Sequence, residues 1–409
     1  MLNYIWVGFF IVAFIVALFQ FAFGDAEVFN RMIESTFSMS KLAVMDIVLP
    51  LTCIMTLWLG LLNIGEKAGA VRFLSRIVGP FFSKLFPEIP KDHPAAGQIL
   101  MNFSANMLGL SNAATPLGLK AMNSLQELNP QKETASNAQI MFLVLNTSSL
   151  MALPVTIIGL RVAAGAANPT DVFIPILLAT YVSTFAGLIF VGIKQKLNLW
   201  NKTALGWIVG ITLVLAGLVW FLSSLSREKM AAVSLLVSSL ILLIIIVGFM
   251  VGALYKKVNV FDAFIDGAKD GFQVIIKIIP YLVAMLVGIG VFRASGAMDY
   301  IIDGLSCGIS ALGINTDFVG ALPTAFMKPL SGSGAQAMMV ESMNVYGADS
   351  FVGRLSCVFQ GAADTTFYII ALYFGSVGIR RTRYAIAGGL FADLAGMIAA
   401  IFIAYLFFY

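Results

Sequence analysis

"LSNAATPLGLKAMN" (residues 110–123) and "LSGSGAQAMMVESMN" (residues 330–344) decide how the rest of the chain is read. Each opens Leu-Ser and closes Met-Asn, and each sets polar and small residues into otherwise apolar chain. Irregular backbone at membrane depth is tolerated only where protein buries it or where it lines a watery cavity. A pair of interrupted segments in matching positions of two halves is the best sequence pointer to a transporter's solute site.

The surroundings are those of a membrane protein. Of 409 residues, 59% are hydrophobic and 11% charged, and the mean hydropathy is +0.93; a soluble domain carries about 25% charged residues. The expected fold is an all-α polytopic membrane protein with about nine full transmembrane helices. Apolar runs of spanning length fall near 1–23, 42–65, 136–160, 171–193, 203–225, 230–255, 271–292, 355–378 and 384–408. The first reads as a span rather than a signal peptide, since it has no basic leading segment or clear small-residue cleavage site. Segments 95–126 and 318–346 are broken by Asn, Ser, Gly and Pro and read as re-entrant helical hairpins. The stretches 28–42, 71–86 and 258–272 mix apolar and charged residues at helical spacing, as helices lying in the interface do.

In such a chain a net charge of +4 bears on sidedness and gives no reason to invoke nucleic acid. Most of the 25 Lys and Arg fall on the side of the amino terminus, including Lys194, Lys196, Lys256, Lys257, Arg380, Arg381 and Arg383. The positive-inside rule then puts the amino terminus in the cytoplasm and Tyr409 outside.

The halves also resemble each other. Ala105, Met107, Leu110 and Ser111 match Ala325, Met327, Leu330 and Ser331 at one constant offset, and Pro50 and Pro280 hold equivalent places before the hairpins. Each half reads span, interfacial helix, span, interfacial helix, hairpin, span, span. The additional span at 203–225 turns the second half over, which predicts an inverted repeat: one half over 1–200, a connecting helix over 201–229 and the second half over 230–409.

The candidate substrate site follows from the polar tips. The first hairpin supplies Asn102, Asn106, Ser111, Asn112 and Thr115, with Pro116 suited to start a helix behind free N–H groups that attract anionic or accepting groups. The second supplies Ser331, Gly332, Ser333, Gly334 and Gln336. The spans that follow carry Asn146, Thr147 and Ser148 in one half and Gln360, Asp364, Thr365 and Thr366 in the other. An ionisable group within a span costs about 2.5–3.5 kcal/mol on insertion scales, so it has a function or a partner. Asp364 is the ion-coupling candidate; the alternative is a structural ion pair with Lys328 or Lys277. Asp46, Glu341 and Asp393 rank lower, because each can reach an interface. The competing reading of both tips is kinked helices closely packed through small residues.

Other chemistries find little support. Cys53, Cys307 and Cys357 are far apart in apolar surroundings, which gives no disulfide framework or metal site. A serine nucleophile in "SGSG" (331–334) needs an activating base: the single histidine, His93, sits in the polar loop "PKDHP" (90–94), which leaves Lys328 as the near candidate. No phosphate-binding P-loop is present to supply energy from a nucleotide. The expectation is therefore a non-enzymatic secondary carrier without cofactor or metal, driven by a gradient of Na+, H+ or the solute itself. Its partners would be a small polar solute and the bilayer, with a homo-oligomer permitted. A channel, a lipid flippase or a non-transporting assembly factor are the alternatives.

"GLSNAATPLGLKAMNSLQ" (109–126) followed by "LVLNTSSLMALPVTIIGLR" (143–161) closely resembles the spore maturation protein A family. "KPLSGSGA" (328–335) followed by "GAADTTFYIIALYFGSVGIRRTRYA" (361–385) closely resembles the spore maturation protein B family. The chain resembles the two joined, with a seam near 200–230. Both resemble the nucleoside-recognition, or Gate, superfamily, which includes concentrative nucleoside transporters and the membrane part of ferrous iron transporters. The resemblance implies a bacterial cytoplasmic (inner) membrane location. The nucleoside carriers have Gln and Glu at the hairpin tip, where this chain has Ser111 and Asn112 and no carboxylate.

Overall fold

The computed structural model describes residues 2–409 apart from 91, 149–150 and 199–200; the side chains of 2–3, 111–113, 227–228 and 277 also lie outside the described set. The first half runs α1 (Leu2–Ala22), α2 (Val28–Lys41), α3 (Leu49–Ala68), α4 (Ala70–Leu85), α5 (Pro94–Met107), α6 (Ser111–Leu128), α7 (Asn137–Ser148), α8 (Val155–Ala163) and α9 (Phe173–Lys194). After α10 (Lys202–Ser223) come α11 (Arg227–Tyr255), α12 (Val260–Ala294), α13 (Ala297–Ser310), α14 (Leu322–Met327), α15 (Gly332–Tyr346), α16 (Phe351–Ala362), α17 (Thr366–Ser376) and α18 (Ala385–Phe408). The protein is an all-α polytopic membrane protein, with 8 helical runs among the described residues long and apolar enough to cross a bilayer. Leu213, Val214 and Trp220 on α10 and Leu240, Val247 and Val251 on α11 are exposed, as lipid-facing side chains must be.

Two interfacial helices expected from the sequence are instead the first turns of long ones. α2 passes through a π-helical turn, Leu42–Val48, straight into α3. Pro50, which has no N–H to donate, follows that turn, and π turns accommodate local mismatch in a helix. Likewise 258–272 belongs to α12, which starts where Asn259 accepts the Asp262 N–H (3.3 Å). One side of this segment packs on protein. Gly267 and Gly271 bring α12 against the α3 backbone: a Cβ on Gly271 would stand 2.9 Å from the Met55 carbonyl oxygen. Asn63 donates to the Ala263 carbonyl (2.7 Å), and Lys67 pairs with Asp266 (2.8 Å). At the far end of the pair Gly290 lies against Ser35 and Met39 of α2, so the two long helices run antiparallel. The third amphipathic stretch does form a separate helix, α4, set off from α3 by left-handed Gly69 (φ 85°). Left-handed Gly296 (φ 76°) separates α13 from α12 in the same way; the left-handed backbone at both corners is one that only glycine adopts without strain.

Both hairpins form. In the first, α5 and α6 meet at a tip over 108–110, with Gly109 left-handed. In the second, a 3-10 turn (Val319–Ala321) and α14 lead to a tip over 328–331 and back along α15. The expected span 136–160 is not one rod, because it divides into α7 and α8. The expected span 355–378 divides into α16 and α17 in the same way.

The two divided helices run antiparallel. At one end the loop after α6 meets the loop after α17: Ala135 N–H donates to the Arg381 carbonyl (3.0 Å) and Arg380 N–H to the Glu133 carbonyl (2.9 Å). At the other end the loop after α15 meets the loop after α8, where Asp349 accepts the Ala167 N–H (2.8 Å) and pairs with Arg161 (3.0 Å). The bases of the two hairpins therefore lie at opposite ends of this helix pair.

Candidate functional site

The two breaks lie side by side. α7 stops at Ser148, and the chain resumes helix only past Pro154, whose ring disfavours helical backbone at Leu153. α16 stops at Ala362, after which Ala363 is extended (φ −153°). The Asp364 carboxylate then accepts the Thr365 N–H (2.7 Å), a local bond that competes with continued helix. Breaking a helix inside a membrane frees backbone groups that must be paired, and the hairpin tips pair them. Ala152 N–H donates to the Met107 carbonyl at the first tip (3.0 Å); Phe367 N–H donates to the Pro329 carbonyl at the second (3.1 Å). The breaks are joined directly by Asp364 N–H donating to the Thr147 carbonyl (2.6 Å).

Side chains extend this junction. Asn106 donates to Asn146 (2.8 Å), joining the first hairpin to α7. Gln360 donates to the Gly332 carbonyl (3.4 Å), joining α16 to the second hairpin. A Cβ on Gly332 would stand 2.8 Å from the Thr365 hydroxyl, so glycine here lets α15 begin against the break. Ser331 caps α15 by accepting the Gly334 N–H (3.1 Å) and lies 3.3 Å from Ser333. α9 and α18 close the sides: Thr184 donates to the Ser148 carbonyl (3.2 Å), and Gly389 passes between Thr366 and Thr147.

Three charges lie here. Thr366 donates to Asp393 Oδ2 (2.7 Å), while Asp393 Oδ1 is buried without a hydrogen-bond partner among the described residues. Lys328 is 5% exposed and interacts electrostatically with Asp364 and Asp393. Among the described residues it has no carboxylate within the 4 Å of an ion pair. The Lys328–Asp364 ion pair expected as the structural alternative is therefore not formed. Among the described residues, three atoms on the junction are buried without a hydrogen-bond partner: Gln360 Oε1, Thr365 Oγ1 and Asp393 Oδ1. Such groups are rare in folded proteins and call for an explanation.

The junction thus gathers Asn106, Asn146, Thr147 and Ser148 with Ser331, Gly332, Ser333, Gln360, Asp364, Thr365 and Thr366. Asn102 stands off it, buried, donating to the Ala114 carbonyl (2.8 Å) and to the Tyr373 hydroxyl (3.4 Å). Gly334 is packed against Met327 and Met285, where it serves helix approach. Thr115 is half-buried on α6, and Gln336 lies a turn into α15. Ser111 and Asn112 begin α6, but their side chains are outside the described set, as is Lys277. α6 begins at Ser111 and contains Pro116 within it, so the helix starts a turn earlier than the proline suggested. Sequence reasoning undervalued Asp393. It is 1% exposed, and its place more than two turns inside an unbroken apolar run was the available signal. It also treated Lys328 only as a counter-ion.

The fold and junction define an all-helical membrane protein in which two hairpin tips clasp two interrupted helices. The chain belongs to the nucleoside recognition (Gate) family, whose model matches residues 48–164 and 275–380. It is 47% identical to spore maturation protein B of Bacillus subtilis (strain 168) over 165 residues, covering 40% of this chain and 91% of that protein. It is 41% identical to spore maturation protein A of the same organism over 189 residues, covering 46% of this chain and 93% of that one. The chain thus matches nearly the whole of each, as a fusion of the two does. No solved structure matches it.

Proposed function

We propose that this protein is a secondary carrier or permease for a small polar solute, with its site at the junction of the hairpin tips and the two helix breaks. The observation that carries the reading is that the two hairpin tips and the two helix breaks bring Lys328, Asp364 and Asp393 together, on a junction where, among the described residues, Gln360 Oε1, Thr365 Oγ1 and Asp393 Oδ1 are buried without a hydrogen-bond partner. In a passive bundle those groups are a pure cost; around a solute or coupling ion they are the binding groups. Asp364 and Asp393 supply negative charge for a coupling Na+ or H+. Lys328 offsets that charge when the ion is absent. The two halves form an inverted repeat, supported by their shared order of elements and by hairpin bases at opposite ends of the divided helices. Alternating access follows from rocking one hairpin-bearing half against the other, the movement inverted repeats permit. The amino terminus lies in the cytoplasm and Tyr409 outside, as the distribution of Lys and Arg suggests. No cofactor takes part.

The test is uptake into proteoliposomes under imposed Na+ and H+ gradients, screened across nucleosides, dicarboxylates and inorganic cations. A solute accumulated by the wild type and not by Asp364→Asn or Lys328→Met supports the carrier. Equal accumulation by wild type and both variants refutes this site. A second reading, favoured by the likeness to spore maturation proteins A and B, is a non-transporting assembly factor in envelope or spore maturation. It predicts no gradient-dependent flux for any solute in the screen.

A further inference from the structure

Away from the tips, a cavity of about 740 Å³ opens between α4 and the last turns of α11. Its walls are apolar, with Phe73 and Leu74 on one side and Ile245 and Phe249 on the other. Its floor is hollowed by Gly248 and Gly252, one turn apart; a Cβ on Gly248 would meet nothing within 4 Å. The mouth is basic. Arg72 and Arg76 stand one turn apart on α4, and Lys256 follows the end of α11. All three are exposed, and among the described residues none is in an ion pair.

An apolar slot with three unmatched cations at its rim is complementary to an amphiphile with an anionic head. Its volume lies within the range of roughly 300–1,000 Å³ typical of ligand sites. The distribution of basic residues puts this rim at the cytoplasmic leaflet, where anionic lipids are drawn to juxtamembrane Lys and Arg. We propose that the groove holds one anionic glycerophospholipid, its phosphate on Arg72, Arg76 and Lys256 and an acyl chain along Gly248 and Phe249. Leu108, at the tip of the first hairpin, lines the same cavity, so the lipid touches a tip next to the Met107 carbonyl that accepts from Ala152 at the α7 break. Free phosphate satisfies the rim but leaves the apolar slot empty.

The experiment is native mass spectrometry of the full chain in detergent, offered phosphatidylglycerol and phosphatidylcholine at equal concentration. The wild type should retain phosphatidylglycerol at least tenfold over phosphatidylcholine, and excess inorganic phosphate should not displace it. The triple variant Arg72→Gln, Arg76→Gln, Lys256→Gln should bring the two lipids within twofold of each other. Gly248→Phe, at a position where a Cβ would meet nothing within 4 Å, fills the slot with every cation in place; it should lower retained phosphatidylglycerol at least fivefold. No preference in the wild type, or a wild-type preference retained by Gly248→Phe, overturns the proposal. Displacement by inorganic phosphate overturns it in favour of a free-anion site.

Discussion

Replacing Arg161 by alanine removes the centre of a charge cluster that ties the two halves together. Its side chain is 0% exposed and reaches Asp171 (2.9 Å) and Asp349 (3.0 Å). It also donates to the carbonyls of Ala348 (2.7 Å), Pro169 (3.2 Å) and Asn168 (3.2 Å). Removing one partner of a buried ion pair costs about 3–5 kcal/mol, because the other charge is left uncompensated. Two features argue for the lower end. Arg354 also holds Asp171 (2.7 Å), and Asp349 is 35% exposed, so water screens part of its charge. Arg161→Ala should therefore cost about 3 kcal/mol. The assay is reversible denaturation of the purified full chain in detergent, with Asp349→Ala and the double variant completing a cycle. Coupling between the two should reach about 1 kcal/mol or more, as residues in one network do. A loss below about 1 kcal/mol for Arg161→Ala, or strict additivity with Asp349→Ala, would refute the view that this cluster locks the halves.

Burial holds the Asp171 carboxyl above the usual carboxylate range, against the pull of Arg161 and Arg354. With the folded value raised, the stabilising contribution is complete below the unfolded value of about 3.9 and is lost as pH climbs through the raised one. The unfolding free energy of wild type minus Asp171→Asn should fall across that window; a rise means the two guanidiniums outweigh burial. Gly118 sits where any Cβ would meet the Tyr373 hydroxyl. Gly118→Ala should cost about 1–3 kcal/mol by overpacking and detach Tyr373 from Asn102; an unchanged melting temperature means Tyr373 swings clear. Gly271→Leu should push α12 off α3 at a similar cost of about 1–3 kcal/mol, read by the same denaturation assay, and wild-type stability would contradict the close approach.

Membrane class, both hairpins and their polar tips were legible because polarity inside a hydrophobic run has few structural excuses. The limits were physical. The amphipathic stretch at 258–272 has the periodicity of an interfacial helix, yet Gly267 and Gly271 seat it on α3. Nothing in local hydropathy separates a helix lying on lipid from one lying on protein. The break after Ser148 was hidden because "NTSSLMALP" is apolar enough for a span; only Pro154 marks it. The break at Asp364 depends on a carboxylate turning back to the Thr365 N–H, a choice made by the surrounding fold. Pairing of Asn106 with Asn146 and of Asp364 N–H with the Thr147 carbonyl joins residues far apart in sequence. Lys328 acquires its meaning only from that assembly.

The most direct test of the central claim needs no knowledge of the solute. In a background without Cys53, Cys307 and Cys357, Ser333→Cys at the second tip is compared with Leu213→Cys on the lipid-facing side of α10 (66% exposed). Both are treated in sealed membranes with a hydrophilic, membrane-impermeant thiol reagent. Water reaching the junction from one face predicts reaction at position 333 and none at 213. An inert thiol at 333, matching that at 213, would mean that the tips pack a dry core and bind nothing.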